Sequence, residues 1–252
     1  MGGAHDQERY QRCFHEWVEQ QEADLSELLQ ALAGDREADA AALHSLMTKS
    51  LQHFEDYGER RSRMSREDAL AFFSPTWCTA LENSFLWIAG CRPSLGIRLL
   101  YALCGNEVED HLEELLQGRA KEDGLGSLSA QQLQRVEELH RSTVGSEEKL
   151  DQRMASLQDG VADNPLVRMS RTRRAAPDAA VSEAVGRLGD LLADILGEAD
   201  RLRVATLRDL VGILGPRQSV EFLAATKQLH LSIHDWGLKT DRARCGGPGD
   251  SG

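Results

Sequence analysis

The sequence predicts an all-α fold, a multi-helix bundle of long antiparallel amphipathic helices. Apolar residues recur three and four positions apart through each long segment, and the two-residue alternation of a half-buried strand is nowhere sustained. Glycine, proline and Ser/Asp-type caps fall mostly between these segments, where helices start and stop. At 252 residues the chain is long enough to bury a sizeable core without disulfide staples.

The first helix is expected over about 7–33. Tyr10, Phe14, Trp17, Gln21, Leu25, Leu28 and Leu32 share a face there, widened by Cys13 and Leu29, and Gly34 is a natural stop. A second, about 37–63, turns Leu43, Met47, Phe54 and Tyr57 to one side. Ser65 with Asp68 three residues later nearly matches a capping box ahead of Ala69, Leu70, Phe72 and Phe73. Pro75 and Thr76 then open the densest apolar stretch, where Trp77, Leu81, Phe85 and Ile88 read as one helical ridge widened by Trp87 and Cys91, the expected centre of the core. Pro93 suits a first helical turn, so a new helix should start at that corner and turn Leu95, Leu99, Leu100 and Leu103 inward. Gly105 and Asn106 read as a stop and a fresh cap before Val108, Leu112, Leu115 and Leu116, and 119–127 as an exposed loop.

Ser129 and Gln132 form a capping box for a helix of about 129–163, carrying Leu133, Val136, Leu139, Leu150, Met154, Leu157 and Val161. Gly145 inside it need cost only about 1 kcal/mol. Pro165 and Pro177 bracket a polar connection. The next helix, about 178–214, presents Val181, Val185, Leu188, Leu192, Ile195, Leu202, Leu210 and Ile213 before Gly215-Pro216 breaks it. The last, 217–237, bears Phe222, Leu223, Leu229, Ile233 and Trp236. The expected layout is a flexible tail at 1–8, a helical domain at 9–237 with an exposed basic linker at 164–177, and a disordered glycine-rich tail at 238–252.

A net charge of -12 repels nucleic-acid phosphate, so direct nucleic-acid binding is not expected. The five cysteines include no C-x-x-C pair and leave an odd count, which suits a reducing compartment. The N-terminus lacks the basic and apolar regions of a secretory signal, and no apolar run approaches the roughly 20 residues of a membrane span, so a soluble intracellular protein is expected. Asp6 stands where a myristoylation signal wants serine or threonine. There is no zinc-protease motif, phosphate loop, dinucleotide fingerprint or serine elbow, so no catalytic residues are assigned and the protein is read as a non-enzyme.

Three groups of residues remain. Tyr10, Phe14 and Trp17 either pack into the parent core or meet a partner, since Trp and Tyr concentrate binding energy at interfaces. His230 and His234, four apart, share a helix face with Cβ atoms about 5–6 Å apart. They could ligate a zinc or copper ion in cis if another side chain completed the sphere, or simply be half-buried and hydrogen-bonded. They cannot both be axial ligands of one haem, whose opposed bonds of about 2 Å need Cβ atoms much farther apart than one turn. Arg168, Arg171, Arg173 and Arg174, interleaved with Ser170 and Thr172, form a basic cluster that nuclear-import receptors could read, or a plain solvated linker.

Residues 10–32, YQRCFHEWVEQQEADLSELLQAL, and 77–103, WCTALENSFLWIAGCRPSLGIRLLYAL, resemble the plant Delay of Germination domain, which also forms the C-terminal region of TGA-type bZIP transcription factors. Trp77, Leu81-Glu82, the run from Ser84 to Ile88, and Arg92-Pro93-Ser94 carry the order and spacing of its second signature, and the likeness extends over 9–237. The resemblance implies a regulator of seed dormancy and germination in abscisic-acid signalling, of which some restrain clade A type 2C protein phosphatases. By position it points to Tyr10, Phe14 and Trp17, with Glu16 as a polar neighbour, as the phosphatase contact. It also implies possible haem binding at His230 or His234, a cofactor the fold itself does not require. With only nine residues before Tyr10 and no leucine heptad, the fused transcription-factor architecture is not expected. A stand-alone phosphatase-binding adaptor of the nucleus, with the cytoplasm as a second compartment, is the leading expectation. A cofactor pairing with TGA-type factors and a haem- or metal-responsive sensor are the alternatives, and a homodimer is possible.

Overall fold

A computed structural model describes residues 3–33, 40–110, 124–163 and 178–245, and among them the all-α bundle is as expected. The long helices are α1 (Gly3–Ala33), α2 (Ala40–Ser65), α5 (Pro93–Asp110), α6 (Ala130–Asp163), α7 (Asp178–Ile213) and α8 (Pro216–Cys245). Two short ones, α3 (Ala69–Phe73) and α4 (Ala80–Ser84), and a 3-10 turn at Leu125–Ser127 lie between them. The helix α8 packs along α1, α2 and α4, while α7 packs on α2, α3, α5 and α6, so the two C-terminal helices run through the middle of the bundle.

The core follows the spacing of each helix. At one end Ile97, Leu100, Val136, Leu210, Ile213 and Phe222 interlock from α5, α6, α7 and α8. Beside them Leu28, Leu43, Met47, Val211, Val220 and Leu223 join α1 and α2 to α7 and α8. Farther along, Ile88, Leu150, Ile195 and Ala199 tie the loop before α5 to α6 and α7. Ser129 and Gln132 make the reciprocal capping bonds expected of them, and α6 runs unbroken through Gly145.

Several boundaries differ from the sequence expectation, each for a local reason. The helix α1 begins at Gly3, and α8 continues past 237 to Cys245, because the polar residues on either side are adequate helix formers. The cap of α3 is Asp68, whose carboxylate accepts from the Ala71 N–H, and not Ser65, which is the last residue of α2. Gly105-Asn106 does not break α5; a glycine stops a helix only where a left-handed turn follows, and none does here. Leu125, in the segment read as an exposed loop, is buried in the core, and Leu95, read as inward, is exposed.

The largest departure concerns 77–91. No single ridge forms: after the one-turn α4 the chain leaves the helix, with Ile88 and Ala89 in the left-handed region (φ 46° and 58°) and a bridge between Trp87 and Gly90. Phe85 is left exposed at the end of α4, while Ile88 reaches the core from the loop.

Candidate functional site

The apolar stripe of α1 faces inward. Tyr10, Phe14 and Trp17 are all buried. The Tyr10 ring lies 5.1 Å from Phe72 and 5.9 Å from Trp77. Trp17 is stacked on Tyr57 at 4.3 Å and meets Phe54 edge-on at 5.0 Å, and Phe14 meets the His234 ring at 5.8 Å. These aromatics fix the position of α1, and what the helix presents outward is a shallow polar groove lined by Glu8, Gln11, Arg12, His15, Glu16 and Glu19. Glu16 is exposed and accepts from Arg60 Nη1 of α2 at 3.1 Å.

The two C-terminal histidines differ from each other. His234 Nδ1 lies 2.9 Å from Glu82 Oε1, and Oε2 of the same carboxylate accepts from the backbone N–H and hydroxyl of Thr79 at 2.8 and 2.7 Å. Glu82 thereby closes the capping box of α4 and clamps α4 to α8. The clamp is tight: a Cβ on Gly237 would stand 2.1 Å from Thr79 Oγ1. His230 keeps its Nε2 buried without a hydrogen-bond partner. Burial pulls its pKa below the ordinary imidazole value, with nearby Glu82 opposing and His234 and Lys227 adding to the fall.

Nε2 of His230 is sealed from solvent, and Nδ1 of His234 is held by Glu82, the kind of carboxylate contact that leaves an imidazole its other nitrogen as the ligating atom. Among the described residues no group of three or more His, Cys, Asp or Glu is arranged to hold a metal ion. No helix among them is long and apolar enough to cross a membrane. The cluster Arg168, Arg171, Arg173 and Arg174 lies outside the described residues.

Two polar constellations escaped the sequence reading. In the first, Lys227 of α8 is fully buried, its Nζ 2.8 Å from Asp24 Oδ2 and 2.9 Å from Gln21 Oε1, and 4.6 Å above the centre of the Phe54 ring. Asp24 also meets His53 Nδ1 of α2 at 3.0 Å and accepts from Gln20. Burial alone would raise the Asp24 pKa, but the hydrogen bonds from Lys227 and His53 outweigh it and hold the carboxyl below its ordinary value. Three helices thus meet at one buried charge pair. A signal for it existed: Lys227 falls between Leu223 and His230, and Asp24 between Gln21 and Leu28, each interrupting a buried stripe at the spacing of an inward position.

In the second, Arg203 of α7 holds the irregular loop before α5. Its Nη2 donates to the Trp87 and Ile88 carbonyls at 2.5 and 3.0 Å, its Nε to Cys91 O at 2.6 Å, and its Nη1 to Asp200 at 2.6 Å. Arg61 of α2, buried beside Asp200, takes the carbonyl of Ala89 at 2.7 Å. The Trp87 indole lies under the guanidinium groups of both Arg92 and Arg203 and donates to Asp151 at 2.7 Å. Arg92 pairs with Glu147 and Asp151 of α6, and Glu147 accepts from the Ser94 N–H and hydroxyl at 2.7 and 2.9 Å. The segment before α5 is therefore a loop in which the carbonyls of Trp87, Ile88, Ala89 and Cys91 are satisfied by arginines from distant helices. Nothing in its local sequence identifies Arg203 as the partner.

Comparison with known proteins matches this chain to others along nearly its whole length. A family profile described as "DOG1: Seed dormancy control" matches residues 24–102, from Asp24 through the arginine-held loop into α5. The chain is 35% identical over 241 residues to Protein DOG1-like 3 of Arabidopsis thaliana, covering 93% of this chain and 86% of that protein. It is 38% identical over 246 residues to Protein DOG1-like 2 of the same plant, covering 94% and 93%. Over 227 residues it is 29% identical to Transcription factor TGA2 of Arabidopsis thaliana, covering 87% of this chain and 58% of that one.

Proposed function

The chain belongs to the DOG1-like seed-dormancy family, and from that premise we propose that it is a non-enzymatic regulatory adaptor in plant seed dormancy and abscisic-acid signalling that binds a type 2C protein phosphatase. The likeness to DOG1-like proteins over more than nine-tenths of the chain carries the regulatory reading. The contact is the outward ridge of α1 around Glu16, held in position by Tyr10, Phe14 and Trp17 beneath it. The adaptor acts in the nucleus, with the arginine cluster 168–174 as its import signal.

The test is direct binding of the folded chain to a panel of type 2C phosphatases under reducing conditions. Wild type should bind at least one member, and Glu16→Lys with Arg12→Glu should weaken that complex by about tenfold while costing no more stability than the exposed pair with Arg60 supplies, about 1 kcal/mol at most. No binding by folded wild type to any phosphatase of the panel would overturn the reading.

The alignment with TGA2 favours a second role, as a transcription cofactor pairing with TGA-type factors. A chain of net charge -12 would then reach DNA only through its partner. Recruitment to a DNA probe that depends on an added TGA-type protein is its signature.

A further inference from the structure

We propose that α4 is a lid held shut by a polar latch, and that it lifts from α8 as a unit while the rest of the bundle stays folded. The five residues of α4 bury a single side chain, that of Glu82, whereas the equally short α3 buries Ala69 and Phe72. Ala80, Asn83 and Ser84 are exposed, Leu81 is half-buried, and the helix ends at Phe85 with its ring in water. Apolar burial, the main force that seats a helix on its neighbours, is therefore slight at this element.

What joins α4 to α8 is polar. The Glu82 carboxylate meets Nδ1 of His234 at 2.9 Å, and the Ala80 N–H donates to Asp241 at 3.0 Å, two contacts seven residues apart on α8. Between them Thr79 rests on Gly237. The turn itself does not depend on α8. Thr79 donates its N–H and hydroxyl to Glu82, the Asn83 N–H donates to the Thr79 carbonyl at 3.0 Å and the Phe85 N–H to the Glu82 carbonyl at 3.0 Å. Both ends of the segment are anchored. Trp77 is fixed by the Tyr10 and Phe72 rings, and Arg203 holds the carbonyls of Trp87 and Ile88. Movement is thus confined to residues 78–86, a short span with little buried apolar surface, the kind of unit that opens locally.

Closure leaves two groups beneath the lid poorly served. Nε2 of His230, near enough to Glu82 to feel its charge, is buried without a hydrogen bond, a cost that water relieves when the lid lifts. Cys78, next to the cap, is shielded too: burial, with Glu82 adding to it and Arg61 opposing, pushes its thiol up to about 12. Opening delivers an imidazole nitrogen and a thiol to solvent together.

The protein's own thiols report the motion, treated with iodoacetamide at neutral pH and read cysteine by cysteine by mass spectrometry. Exposed Cys91 should react first, and Cys13, buried on α1, only as the whole bundle unfolds. Cys78 should react through lid opening, at a rate that urea leaves unchanged below the unfolding transition. Glu82→Gln and Asp241→Asn, each removing one charged partner from the latch, should raise the Cys78 rate about tenfold and leave the Cys13 and Cys91 rates unaltered. Asp241→Asn keeps the capping box, so it reports on the latch even where Glu82→Gln unravels α4. A Cys78 rate that climbs with urea in step with that of Cys13 would overturn the proposal, because the lid would then open only with the bundle. So would a Cys78 rate that both variants leave at the wild-type value. No partner enters the measurement, so a failed phosphatase panel leaves its result unchanged.

Discussion

Lys227 is the side chain whose environment differs most from what its chemistry favours. An ammonium in the interior is tolerable only while a carboxylate stands beside it, and Asp24 at 2.8 Å fills that role. Replacing one partner strands the other, so Lys227→Met should cost about 3–5 kcal/mol in urea unfolding, and Lys227→Met/Asp24→Leu should recover most of it. The same pair sets an acid limit. Because the folded state holds Asp24 below its ordinary value, its contribution is fully present above about pH 4 and is lost as pH falls through the depressed folded pKa. Stability measured from pH 5 downward should therefore fall less steeply for Asp24→Asn than for wild type. Two glycines offer an opposed pair of tests. A methyl on Gly237 meets the Thr79 side chain and should destabilise by about 1–3 kcal/mol, whereas Gly145, in mid-helix with nothing within 4 Å, should gain about 0.5–1 kcal/mol as alanine. Thermal melts of the two variants check both signs.

Among the elements, the loop 85–92 depends most on residues far from it in the chain. Arg203 serves three of its carbonyls with a planar fork, geometry that lysine cannot reproduce, so Arg203→Lys should destabilise by about 2 kcal/mol or more. Amide exchange at Gly90, whose N–H bonds to the Trp87 carbonyl, should quicken in that variant before exchange in α7 does. This loop also marks where local sequence ceases to inform. Helices such as α6 are legible because their spacing and the Ser129–Gln132 cap act within a few residues. Trp77, Leu81, Phe85 and Ile88 have helical spacing too, but the arginines that pull the backbone out of the helix come from α2 and α7. The carboxylate linking α4 to His234 escaped the sequence reading although Thr79 and Glu82 have capping-box spacing, and its second contact spans 152 residues. On α1 the apolar stripe was legible, but composition could not decide whether it met the parent core or a partner.

Across the whole molecule, the burial of Trp17 changes how binding experiments should be designed. Trp17→Ala removes the stack on Tyr57 and should cost about 3–5 kcal/mol of stability, so lost binding in that variant would report unfolding as readily as a missing contact. Surface changes at Glu16 avoid the ambiguity. The two C-terminal helices have a wider consequence. Asp24 waits for a lysine 203 positions later, and α4 for a histidine 152 positions later, so the polar clamps on α1 and α4 close only once α8 has been made. During synthesis, at about 5–20 residues per second, Tyr10 and Trp17 meet Phe54, Tyr57, Phe72 and Trp77 well before α8 appears, whereas Gln21, Asp24 and Glu82 keep their polar groups in water until α8 arrives. The aromatic contacts of α1 therefore precede the buried charge pair in the order of synthesis, and α8 is the element that locks them in place.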